Sequence, residues 1–133
     1  MLTIELARKL REAGLRWDPE PGDRFVLPDR GMDDEVFVVS HMVVDVHDFP
    51  DGRVLGFNGT VEWALDSIEK DSALWLPSET QLRELLGGAF VELNRDGEAY
   101  RVTLDIAGRR HVVVGDDAEE AYGKALLHLA ADD

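Results

Sequence analysis

Residues 45–51, Asp-Val-His-Asp-Phe-Pro-Asp, gather the groups in this chain best suited to holding a metal ion. Asp45 and His47 stand two apart in a β-branched run, so a strand would project both to one side, with Asp48 adjacent in sequence. An imidazole with carboxylates suits a divalent cation that keeps open coordination positions. His41 and either Asp33 or Asp34 from the preceding segment could complete such a set. The bland alternative is turn chemistry, because Asp at a hairpin tip bonds its own backbone two residues on.

Other chemistries find less material. His41, His47, His111 and His128 occur in no recognised nucleophile–base spacing. Ser40, Ser67, Ser72 and Ser78 each have an ordinary strand, helix or cap reading, and there is no G-x-S-x-G. His111 could stand beside Asp105 across a hairpin, most simply as a cross-strand pair on a wet face. The only Gly-Lys pair, Gly123-Lys124, falls within a helical pattern where no loop can cradle phosphates. The absence of cysteine removes disulfides, thiolate metal sites and cysteine nucleophiles. The expectation is a protein without catalytic activity and without a cofactor.

Interaction is the other option, and the tryptophans are its largest assets. Trp17, Trp63 and Trp75 are the three in the chain. Trp75 and Leu76 sit in the apolar run Leu-Trp-Leu-Pro, and Trp63 lies beside a helical stripe. Aromatic residues of this kind are enriched at binding hot spots, so Trp75, Leu76 and Trp63 are the candidate partner-binding residues. In a small domain such side chains also serve as core.

The charge balance narrows the class of partner. A net charge of −14 repels phosphate backbones and anionic lipid surfaces, so neither nucleic acid nor a membrane is expected as a partner. The acid is unevenly spread: Arg8, Lys9, Arg11 and Arg16 make the first helix a cationic patch on an acidic body. Charges at Glu5, Arg8 and Lys9 interrupt what a signal peptide would need as an apolar stretch, and the expected location is cytoplasmic.

At 133 residues the chain can bury roughly 70% of its unfolded surface in one core. Leu6, Ala7, Leu10 and Ala13 mark a helix over 3–14, with Thr3 as N-cap and Gly14 as stop. Arg24–Pro28 reads as a short strand, followed by a polar loop, Asp-Arg-Gly-Met-Asp-Asp-Glu. Glu35–Phe49 is too long for one strand and is expected to break near Ser40-His41. The Phe-Pro-Asp-Gly turn then returns the chain into Arg53–Phe57 as a hairpin. Val61, Ala64, Leu65 and Ile68 predict a helix over Thr60–Asp71.

Ser78 and Gln81 form a capping box that opens a helix ended by Gly87-Gly88. Residues 89–115 predict three strands, with Tyr100, Val102 and Leu104 on one face and Arg101, Thr103 and Asp105 on the other. A last helix over Ala118–Ala130, capped by Asp116 or Asp117, is expected to bury Ala121, Ala125, Leu126 and Leu129.

With these segments in hand, the stretch DDEVFVVSHMVVDVHDFPDGRVLGFNGTVEWALDSIEKDSALWLPSETQLRELLG resembles a family of short actinobacterial open reading frames of uncharacterised function, and the likeness runs over nearly the whole chain. Such bacterial proteins are often labelled pilus-assembly proteins, but the pilus ATPases of that name carry a nucleotide-binding domain that this chain lacks. From LWLPSETQLRELLG through EEAYGKALLHLA the chain is also similar to small phage-encoded proteins, in which a P-[ST]-x-x-x-L helix, a short sheet and an E-E-A-x-x-x-A-L-x-x-L helix recur. These elements are structural, and the resemblance implies no functional residue.

The fold expected is α+β: antiparallel sheet or sheets with about four helices on one face, the C-terminal half running α-β-β-β-α. It would form a single domain over 1–133, with 1–73 and 74–133 as possible sub-units. The function expected is a non-catalytic module that binds another protein, as a monomer or homodimer. The alternative is a metal or small-ligand site at the Asp45–Asp51 hairpin.

Overall fold

A computed structural model describes residues 1–28, 32–39, 43–49, 52–57, 67–69 and 73–131. The fold is α+β. Its described elements run α1 (Ile4–Glu12), β1 (Arg24–Leu27), β2 (Met32–Val38), β3 (Val43–Phe49), β4 (Gly52–Phe57), β5 (Ser67–Glu69), β6 (Leu74–Leu76), α2 (Glu79–Leu86), β7 (Phe90–Asp96), β8 (Ala99–Ile106), β9 (Arg109–Gly115) and α3 (Ala118–Ala131). The strands form three antiparallel sheets of three, in the orders β2-β1-β6, β3-β4-β5 and β7-β8-β9.

The chain divides into two compact units, one of residues 1–16 with 77–133 and the other of residues 17–76. The division expected at 73/74 therefore lies three residues later, because Leu74–Leu76 pairs with β1. The first helix belongs with the C-terminal residues. Helix α1 buries Leu6, Ala7 and Leu10, and Gly123 of α3 makes room for it. A Cβ on Gly123 would lie 2.7 Å from Leu6 Cδ2 and 2.9 Å from Leu2 Cδ1.

Local signals place the helices of this unit. Thr3 Oγ1 accepts from the Leu6 N–H at 3.2 Å. Ser78 Oγ accepts from the Gln81 N–H at 3.2 Å while Gln81 Oε1 accepts from the Ser78 N–H at 2.9 Å, so the capping box is complete. Asp117 Oδ1 accepts from the Glu120 N–H at 2.7 Å at the start of α3. The two hairpins use two-residue loops. Gly97 leads the first at φ 64, and Ala107 and Gly108 fill the second at φ 54 and 81, the left-handed pairing that suits the right-handed strand twist.

Several expectations change. Among the described residues there are three α-helices rather than about four, and all three belong to the unit of 1–16 and 77–133. The helix expected over Thr60–Asp71 lies outside the described residues except at 67–69, which form β5. There Glu69, Ile68 and Ser67 pair with Val54, Leu55 and Gly56, so ladder hydrogen bonds offered by β4 prevail over a weak 3.6-residue pattern.

The polar loop after Pro28 is shorter than expected. Strand β2 begins at Met32 and takes Asp33, Asp34 and Glu35 into an edge position, where charge is tolerated. Helix α3 buries Ala121, Tyr122, Gly123 and Ala125, while Leu126 and Leu129 are half-buried. Contacts with α1, α2, β8 and β9 spread its buried arc beyond a single stripe.

Candidate functional site

Strand β3 carries the residues singled out for a metal. The hairpin with β4 forms as expected, with Asp45 opposite Gly56, His47 opposite Val54 and Asp48 opposite Arg53. His41 and Asp51 lie outside the described residues.

The tryptophans separate. Trp63 lies outside the described residues. Trp17 is buried, and its indole Nε1 donates to Asp23 Oδ2 at 2.9 Å. The same oxygen accepts from the Glu20 N–H at 3.0 Å, and Asp23 itself is buried. Around it, Trp17, Phe25, Leu27, Val39 and Ala73 form a core, with Phe37 and Trp75 packed against it. Register places Phe37, Phe25 and Trp75 in one row across β2, β1 and β6. Trp75 stacks on Trp17 with centroids 6.4 Å apart and is half-buried, and its buried Nε1 has no hydrogen-bond partner among the described residues. Leu76 is only 1% exposed and is a core residue, not the surface residue expected, alternating along β6 with the half-buried Trp75.

In the other unit the structure joins two residues whose spacing carried no signal. His128 Nε2, on the last turns of α3, lies 3.1 Å from His111 Nδ1 on β9, with ring centroids 4.7 Å apart. One ring donates its N–H and the other accepts, and the contact ties the helix to the strand. The pairing expected for His111 fails by one residue of register: it faces Leu104, and Asp105 faces Arg110. No group of three or more His, Cys, Asp or Glu side chains able to hold a metal occurs among the described residues.

The most distinctive surface is the outer face of sheet β7-β8-β9. Val102 and Leu104 are buried on the inner face. The outer face carries Arg101, Thr103 and Asp105 from β8 and, by register, Val114, Val112 and Arg110 from β9. Val112 is 54% and Val114 47% exposed. The two edges of this sheet differ. Strand β7 presents Glu92, Asn94, Arg95 and Asp96, whereas β9 runs His111-Val112-Val113-Val114 with no charge between Arg110 and Asp116. Charges on an edge strand discourage pairing with another chain, and β9 lacks them along its centre. A sequence signal existed: a strand apolar at both alternating positions must leave some apolar side chains outside, unless both of its faces are covered.

No protein-family model, curated protein or solved structure matches the chain. No described helix is long and apolar enough to cross a membrane.

Proposed function

We propose that this chain is a small non-catalytic module that binds another protein through the outer face and free edge of sheet β7-β8-β9. The observation that carries the reading is the exposure of Val112 and Val114 side by side on an edge strand, rimmed by Arg101 and Arg110. An apolar strip with a polar rim is the anatomy of a recognition patch. A free strand edge adds backbone donors and acceptors that an incoming strand can pair.

The test is capture of a partner from a lysate of the source organism by the native protein, by Val112→Lys/Val114→Lys and by Trp75→Ala, each checked for folding by circular dichroism. The reading expects a partner held by the native protein and by Trp75→Ala but lost by the double lysine variant. Loss with Trp75→Ala alone would move the interface to the aromatic row of β2-β1-β6. Capture of nothing by the native protein would count against a binding module.

A second reading rests on Asp45 and His47 standing two apart on strand β3. A divalent ion held there should give a calorimetric signal that Asp45→Ala/His47→Ala abolishes, and a silent native protein would end that reading.

A further inference from the structure

We infer that the partner seated on the free edge of β9 is a second copy of this chain, added antiparallel to make a continuous six-stranded sheet. This rests on the reading of the β7-β8-β9 sheet as an interaction surface and names its occupant. Two-fold symmetry restricts the possibilities. When two identical edges pair about an axis perpendicular to the sheet, each face continues into the same face of its mate. Residues directly opposite share a face. Residue i must therefore meet a residue an even number of places away, and only a few registers remain.

Centring the axis on Val113 is the register that the charges select. It sets Val112 opposite Val114 of the second copy, and Val114 opposite its Val112, merging the two exposed strips into one patch of four valines. It also brings Arg110 and Arg109, at the start of β9, alongside Asp116 and Asp117 of the second copy, which follow the end of its β9. All four of these charged residues are exposed; the two arginines open β9, and the two carboxylates follow its last residue, Gly115, in the turn that leads into α3, where Asp117 Oδ1 also accepts from the Glu120 N–H. Shifting the centre to Val112 sets Arg110 opposite Val114 and Arg109 opposite Gly115, which loses both ion pairs. On the outer face Arg110 would then lie between Asp105 of its own chain, its neighbour on β8, and Asp116 of the other.

The net charge of −14 opposes association of two copies. At physiological salt the screening length is about 8 Å, so the charges along the shared edge outweigh distant ones.

Sedimentation equilibrium of the full chain at physiological salt tests the proposal, with the mass expected to rise with concentration from 14.9 kDa toward twice that value. Arg110→Asp and Asp116→Arg should each weaken association by about tenfold or more, and the combined swap should restore it. Because the chain has no cysteine, a single introduced thiol reports the register. A mixture of Val112→Cys and Val114→Cys proteins should form a disulfide-linked dimer under mild oxidation, since opposite Cα atoms about 4.5–5.5 Å apart are within disulfide reach. Neither variant alone should do so.

A native protein that stays monomeric at several hundred micromolar would overturn self-pairing. So would a dimer indifferent to Arg110→Asp, or cross-linking by Val112→Cys alone. A monomer that still captures a different protein, and loses it with Val112→Lys/Val114→Lys, would sink the second copy as occupant while leaving the recognition surface standing. A monomer that captures nothing would remove both.

Discussion

Sheet β2-β1-β6 packs aromatic rings beside a buried carboxylate, whereas sheet β7-β8-β9 buries Val102 and Leu104 on one face and leaves Val112 and Val114 exposed on the other. In the first, Asp23 accepts from Trp17 Nε1 and from the Glu20 backbone, so a hydrogen-bonded polar group sets how the rings stack. In the second, Val102, Leu104 and the buried side chains of α2 and α3 are aliphatic except for Tyr122, which packs against Phe90. A polar group inside a core specifies one arrangement because any other strands it without a partner. A mainly aliphatic interior makes a weaker demand of this kind.

The largest expected effect comes from emptying either interior. Phe25→Ala should cost about 3–5 kcal/mol and Leu104→Ala about 2–5 kcal/mol. All three tryptophans belong to the unit of residues 17–76 and all described α-helices to the other. Tryptophan fluorescence therefore follows one unit and helical circular dichroism the other. Denaturation of Phe25→Ala should move the fluorescence transition first, and that of Leu104→Ala the helical one. Transitions that stay coincident in both variants would mean the two units unfold together, and the contrast between their interiors would carry no separate stability.

The two faces of the second sheet offer a sharper comparison. Val102→Lys buries a charge and should cost about 3 kcal/mol or more, against a change within about 0.5 kcal/mol for Val112→Lys, read from the same denaturant midpoints. A large cost at Val112 would show that the outer face is covered. Removing the carboxylate of the first sheet should have an intermediate effect. Asp23→Ala should lose about 1–3 kcal/mol and shift tryptophan emission as Trp17 Nε1 loses its acceptor.

The smallest effect concerns pH. Burial, then the nearby Glu79 carboxylate, raise the Tyr122 phenol above its ordinary value of 10.0, with Arg83 opposing. The unfolded phenol releases its proton first, so this contribution is complete below pH 10 and is lost as pH rises through the folded value. Tyr122→Phe should flatten the decline in stability measured above pH 10.

Signals confined to a few residues were legible. Thr3, Ser78 and Asp117 cap their helices because each needs only a backbone N–H three residues on. The break in the long β-branched stretch, the hairpin that follows it and the three strands after residue 89 were readable from alternation and turn residues. Pairings between distant segments were not. Leu74–Leu76 reads as an apolar lead-in to a helix, yet it completes a sheet with β1 because β1 has a second edge to satisfy. His111 was assigned a neighbour one place out of register, which on a strand exchanges the inner face for the outer. That exchange carried it from Asp105 to His128, and no spacing in the chain announces the pair.

The sequence by itself determined the helix starts, the turns, the alternating faces, the lack of thiol chemistry and the acidic charge, because each depends on residue type or on neighbours a few positions away. Tertiary structure decided that Leu76 is core, that Asp23 serves Trp17, that α1 packs against Gly123 and that β9 is an edge strand among the described residues. Burial and edge position belong to a residue only once segments far away in the chain have taken their places against it.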